Sequence, residues 1–262
     1  MPDEIRAGLD RGDLFVEYLP AVRLADARCI GGEALVRWRR GGEVLPSSAF
    51  LSRIENTPLS GRITYWTIET VGAELGAWLD AHRETHVSIN VPAEIVGRGG
   101  IEHALVRAGL RDRMEQIVFE ISERGVPDRL GLETIEVAAM CGLRIAIDDT
   151  MLTAVNLALL VRSHFNMIKI AREVTAQLGP DKPPPGWLAR LQALLKSSTL
   201  QVVAGGVETE YQAKWLHAAG VQLAQGPFFS LPLPADGLKD LYAADRSAGR
   251  PLPSYLGGNQ QP

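Results

Sequence analysis

One carboxylate, Glu33, stands inside IGGEALVRWRR (Ile30–Arg40), a stretch that otherwise reads as buried strand. Burying a carboxylate is costly unless it is paired, hydrogen-bonded or bound to a metal, so the rest of the chain has to supply a partner. Candidates recur at the ends of later apolar runs. Asn90 follows HVSI, Glu120 and Glu123 lie in and just past QIVFEIS, Asp148 and Asp149 close LRIAIDD, and Lys169 lies in NMIKI. Glu208 follows LQVVAGG, and Gln225 comes at the end of VQLAQ. Each alone has an ordinary explanation: Asp and Asn form turns and cap helices, and Glu33 could pair with a buried arginine. As a set, carboxylates and a carboxamide converging with one lysine make an oxygen-rich site for a hard cation, Mg²⁺ or Mn²⁺. The adjacent Asp148 and Asp149 could serve two ions, one of the pair bridging. The five histidines are scattered without metal-ligand spacing, which argues against zinc.

The elements that must position these residues alternate along the chain. Eight short apolar runs read as strands: 14–19, 29–38, 86–91, 116–122, 143–149, 166–170, 200–206 and 221–226. Helical candidates lie between them. The clearest is 61–79, where Ile68, Val71, Leu75 and Trp78 recur at three- and four-residue spacing on one face. The others are 101–108, 130–140, 187–196, 210–219 and 235–244. Strand–helix alternation of this length predicts an α/β protein, a TIM-like (β/α)₈ barrel, with a doubly wound sheet as the alternative. The barrel enzymes build their sites from the strand ends just named. Only PAVRLADAR joins the first two strands, too short for a helical crossover, so that pair is expected to be antiparallel. One domain is expected over residues 1–256, with a disordered polar tail at 257–262.

The chain has 262 residues, is 46% hydrophobic and carries a net charge of −4. That is ample for a core and offers no global basic field for duplex DNA or anionic lipid. One local arginine suffices for a small phosphate ligand. The start, MPDEIRAGLDRGD, has no apolar segment of the kind a signal peptide carries. No apolar run approaches the roughly 20 residues of a membrane span. The two cysteines, Cys29 and Cys141, sit in apolar surroundings and read as reduced core residues. The expected location is cytoplasmic.

The ordered series EALVRW, SIN, FEISE, AIDD, IKI, GVET and QGPFFSLPLP covers almost the whole chain. It resembles the EAL domain family of bacterial cyclic di-GMP phosphodiesterases. The resemblance implies a barrel with one antiparallel strand and two divalent ions that activate a water for in-line attack on a phosphodiester, giving linear pGpG. Carried over by position, it implies that Glu33, Asn90, Glu120 and Asp148 bind the first ion and that Asp148 and Asp149 serve the second. Lys169 is implied to touch the nucleophilic water, and Arg37 to clamp a ligand phosphate, with Leu35 and Gln225 beside the ligand. Mg²⁺ or Mn²⁺ is the implied cofactor and Ca²⁺ an inhibitor. Cyclic di-GMP is the implied partner, along with a protein partner or a sensory or GGDEF domain, and a homodimer.

Four positions depart from the family pattern. The family usually reads A-E-G-V-E near the seventh strand; this chain reads AGGVE, with Gly205 in place of an acid that serves as base or holds the second ion's water. The family's D-D-F-G-x-G loop is DDTMLT here, a glutamine before proline is Leu19, and the acid after the lysine motif is Ala171. Glycine can supply neither role, and losing one general base typically costs about 10²–10⁴ in rate. The expectation is a domain that binds cyclic di-GMP with a metal and hydrolyses it weakly or not at all. The alternatives are a working phosphodiesterase, with Glu208 or Glu123 replacing the lost acid, and a protein-binding scaffold that no longer sees nucleotide.

Overall fold

The computed structural model describes residues 1–122, 129–152, 165–180 and 183–247. The chain opens with α1 (Pro2–Arg11), a helix absent from the sequence expectations. Its signals are orthodox: proline in the first turn, Asp3 and Glu4 there as well, and Gly12 in a left-handed conformation closing the helix. Strands β1 (Leu14–Arg23) and β2 (Arg28–Arg40) follow, with β3 (Glu43–Pro46) folded back on the outer end of β2. Then come α2 (Pro58–Ala81), β4 (His86–Asn90), α3 (Gly100–Arg107), β5 (Ile117–Ser122), α4 (Arg129–Met140) and β6 (Arg144–Thr150). The chain continues with β7 (Met167–Ile170), α5 (Arg172–Thr175), α6 (Gly186–Ser197), β8 (Gln201–Ala204), α7 (Glu210–Ala218), β9 (Leu223–Ala224) and α8 (Ala235–Ala244).

The strands run in the order β1-β9-β8-β7-β6-β5-β4-β2, and β1 also pairs with β2, so the eight close into a barrel. β1 is antiparallel to both neighbours, β2 and β9, and the remaining barrel pairs are parallel. This is the expected TIM-like barrel with one antiparallel strand. Closure between β2 and β4 depends on Gly31: its φ is +148°, and a Cβ there would meet the backbone carbonyl oxygen of His86 at 1.8 Å. No side chain fits.

Alternation along the strands separates two environments. Outward residues such as Val87, Ile89, Phe119, Ile121 and Ile145 pack with Ile68, Val71, Leu75 and Leu79 of α2. Inward, Ile30, Val118, Ala146, Met167, Val203 and Leu223 form a buried plug. At the strands' N-terminal end, Arg144 donates to Gln201, and His86 is buried. Burial, with the Arg144 charge second, pushes the His86 imidazole down to about 3. Among the described residues no helix is long and apolar enough to cross a membrane. Cys29 is buried as expected, but Cys141 is exposed just past the end of α4, which corrects its assignment to the core. Neither forms a disulfide. The expected tail at 257–262 lies outside the described residues.

Candidate functional site

The plug ends where the inward residues turn polar. In register, Asn90 of β4 lies beside Glu120 of β5, Ser122 lies beside Asp148 of β6, and Glu33 of β2 lies beside Ser88. Lys169 enters from β7. Its ammonium donates to Glu33 Oε2 at 2.7 Å and to Glu120 Oε2 at 2.9 Å, and lies 3.5 Å from Asp148 Oδ1. Asn90 Nδ2 donates to the other oxygen of Glu33 at 2.9 Å. Glu33, Glu120 and Lys169 are buried, whereas Asn90 reaches the surface. Strands far apart in sequence thus deliver one cluster.

Its electrostatics follow from crowding. Burial pushes the Glu33 carboxyl up, but the Lys169 charge and the bonds from Lys169 and Asn90 outweigh it and leave it below its ordinary value. Glu120 goes the other way: burial, with the negative charge of Glu33 added, holds it well above. Asp148 is also raised, chiefly by burial, with Lys169 opposing and Glu33 and Asp149 assisting. Burial disfavours the Lys169 ammonium, yet Glu120, Glu33 and Asp148 together hold it well above its ordinary range. The cluster demands positive charge, and one lysine supplies part of it.

A divalent ion fits these residues. One oxygen from each of Glu33, Glu120 and Asp148 lies within 4.8 Å of the others, an all-oxygen set of the kind hard cations select. The ammonium already held there marks the same preference.

The other predicted residues have varied surroundings. Asp149 is exposed, with φ of +57°, and its N–H donates to Asp148 Oδ1 at 2.8 Å. The β6–β7 register slips between Ile147 and Thr150, so these two aspartates occupy a bulge, which re-aims side chains at a strand end. Gln225, just past β9, is buried; its Nε2 donates to the Leu19 carbonyl at 3.3 Å, while its Oε1 has no partner among the described residues. Leu35 and Arg37 follow Glu33 at two-residue steps on the same face of β2, both half-buried. Glu208 is exposed and pairs with Arg172 at 2.6 Å. Glu123 lies outside the described residues. Gly205 donates its N–H to the Ile170 carbonyl at 3.0 Å, and a Cβ on it would stand 2.9 Å from that same oxygen.

One site residue was not among the sequence candidates. Glu17 Oε2 lies 2.8 Å from Arg37 Nε. The signal was available: alternation in LFVEYL puts Phe15, Glu17 and Leu19 on one face, and β1 pairs Leu19 with Glu33, Glu17 with Leu35 and Phe15 with Arg37.

A sequence profile of the EAL domain matches residues 3–232. The chain belongs to the EAL domain family. Among its relatives is the bifunctional diguanylate cyclase/cyclic di-GMP phosphodiesterase MucR of Pseudomonas aeruginosa, 29% identical over 242 residues, covering 90% of this chain and 35% of that protein. The probable cyclic di-GMP phosphodiesterase PdeB of Escherichia coli is 28% identical over 241 residues, covering 88% of this chain and 45% of that protein. This EAL chain therefore spans less than half the length of either. The MucR phosphodiesterase solved in complex with c-di-GMP superimposes with a TM-score of 0.78 at 28% identity, over 90% of this chain and 98% of that one.

Proposed function

We propose that this EAL domain binds cyclic di-GMP at the barrel mouth together with Mg²⁺ or Mn²⁺ and hydrolyses it weakly or not at all, serving as a receptor or regulatory module. The relatives' activities motivate the ligand, as does a mouth that joins a cation-binding cluster to Arg37 and to the unpaired Oε1 of Gln225. A divalent ion held by Glu33, Glu120 and Asp148 would supply charge neutralisation for a phosphodiester. Asn90 orients Glu33, Lys169 offers a fixed, hydrogen-bond-donating cation beside the reacting centre, and Arg37 offers a planar fork to phosphate.

The observation that carries the weak-turnover part is Gly205. Where the family places an acid, this chain has a backbone closed against Ile170, with no side chain. Glu208, the nearest acid in sequence, faces Arg172 at the surface.

A second reading keeps full phosphodiesterase activity and is favoured by the complete set Glu33, Asn90, Glu120, Asp148 and Lys169. Calorimetric titration with cyclic di-GMP, with and without Mn²⁺ or Ca²⁺, tests binding, and absence of binding would leave a protein-interaction scaffold. Single-turnover formation of pGpG in Mg²⁺ and Mn²⁺ tests turnover. Rapid product release in the unmodified protein would overturn the receptor reading in favour of the second.

A further inference from the structure

We infer that Glu17 is an affinity-setting residue of the ligand site, a built-in carboxylate that competes with a phosphate group for Arg37. The inference rests on the proposed reading that the barrel mouth takes a phosphodiester ligand.

The geometry is specific. A guanidinium grips an oxyanion best with two adjacent N–H groups at once. In Arg37, Nε points to Glu17 Oε2 at 2.8 Å, and Nη1 donates to the carbonyl of Val36 at 3.3 Å. Among the described residues Nη2 has no hydrogen-bond partner. Each two-donor edge of the fork therefore has one member already taken. The Val36 carbonyl belongs to β2 and cannot leave without breaking the strand. Glu17 is a side chain and can.

The pair is also placed to matter. Arg37 and Glu17 retain 12% and 29% of their side-chain exposure, so water screens them less than a surface pair. Both lie on the face of the β1–β2 ribbon that carries Glu33, with Glu17 opposite Leu35. A ligand spanning from the carboxylate cluster to Arg37 passes over Glu17. The cluster already holds Glu33, Glu120 and Asp148 against a single Lys169. A further carboxylate on Arg37 opposes an anionic ligand twice: it occupies a donor, and it repels the charge.

Glu17→Gln keeps the shape and a polar contact while removing the charge; Glu17→Ala removes both. Each is expected to tighten cyclic di-GMP binding, measured by calorimetry in Ca²⁺, by about three- to thirtyfold, the range expected of one additional charge-assisted hydrogen bond. The gain should shrink as salt rises and vanish in an Arg37→Ala background. Circular dichroism and melting temperature of the variants check that they fold as the parent does. Unchanged or weaker binding by both folded variants, with a parent that binds, would make Glu17 a support that positions Arg37, and would overturn the inference while leaving the ligand reading intact. A gain that persists without Arg37 would also overturn it. If neither parent nor variants bind, the ligand reading fails and takes the inference with it.

Discussion

Lys169 is the residue whose removal should cost the metal-free protein most. Its ammonium is buried against Glu33 and Glu120 at 2.7 and 2.9 Å and lies 3.5 Å from Asp148. Lys169→Met keeps the stem and deletes the charge. Breaking a buried ion pair by removing one partner costs about 3–5 kcal/mol, because the remaining charge is left uncompensated. Glu120, which burial already holds well above its ordinary value, can take up a proton and keep the loss toward the lower end. For a chain of this size each kcal/mol moves the melting temperature by about 2–4 °C, so the metal-free variant should melt roughly 6–20 °C below the parent. Metal should then act in the opposite sense. In the parent an incoming Mg²⁺ or Mn²⁺ competes with the ammonium for the same oxygens; in the variant it does not. The metal-induced rise in melting temperature, which follows mass action, should therefore be larger in Lys169→Met than in the parent. The assay is a melting titration of both proteins against each ion, from chelated to millimolar. A variant that melts within about 2 °C of the parent without metal, at the sensitivity just stated, would refute the picture of Lys169 as the neutralising charge.

Three further outcomes are expected. Arg37→Ala should weaken cyclic di-GMP binding by roughly ten- to a hundredfold, the loss of a charge-assisted phosphate contact; calorimetry checks it. His86 is held neutral, its pKa depressed from 6.5 to about 3, so the folded state binds fewer protons than the unfolded state between those values. Stability should be fully present above about pH 6.5 and fall as pH drops toward 3, by at most about 5 kcal/mol; denaturant melts across that window should show His86→Leu with a flatter acid limb. Gly205→Glu should cost about 1–3 kcal/mol from crowding against the Ile170 carbonyl and return far less than the roughly 10²–10⁴ a well-placed base can give; Gly205→Ala isolates the steric part, and single-turnover pGpG formation measures the rest.

The sequence made the barrel legible because strand–helix alternation is a period that survives without tertiary knowledge. The antiparallel start was legible too, since nine residues cannot cross over. The ends were less so. The eighth strand, expected over 221–226, is regular only at Leu223–Ala224, although Gln225 still donates to the Ala204 carbonyl and accepts from the Val207 N–H. Of the residues the structure brings together, Glu33 stood out as a lone acid inside an apolar strand, and Asn90, Glu120, Asp148 and Lys169 by a second rule: a polar residue in a strand's last positions needs a reason. The same rule passed over Glu17, because it sits early in its strand. Since β1 runs antiparallel, its early residues reach the mouth that other strands reach with their late ones. The placement of Asp149 was not legible, for a bulge depends on where the neighbouring strand fixes the register. The constraint on position 205 was not legible either: its φ is outside the left-handed region, and what limits a side chain there is the carbonyl of Ile170.

Three of the four departures from the family pattern meet in one place. The Ala171 N–H donates to the Thr150 carbonyl at 3.2 Å, and the Gly205 N–H donates to the Ile170 carbonyl next to it. Leu152 packs in the same apolar cluster as Ile170, Ala171 and Ala204. It does so with φ of +53°, a left-handed conformation that costs a branched side chain roughly 1–2 kcal/mol. Burying that side chain almost completely, to 1% exposure, contributes about 1.5–3 kcal/mol, enough to offset that cost. Apolar packing and backbone hydrogen bonds thus run from the end of β6 through β7 to β8, along the side where the resemblance implies a second ion. The changes adjoin one another: Thr150, where the family has Phe, accepts from Ala171, and Gly205 lets the β8 end close on the β7 end. Residues in contact do not respond additively to substitution. An acid restored at 205 alone meets a wall built without it, and a glycine loop grafted after Asp149 alone alters the backbone on both sides of the packed Leu152. On the proposed reading, pGpG formation should respond to the two changes made together by more than the product of their separate effects. The carboxylate side of the mouth on β2, β4 and β5, carrying Glu33, Asn90 and Glu120, should keep its metal response in every variant.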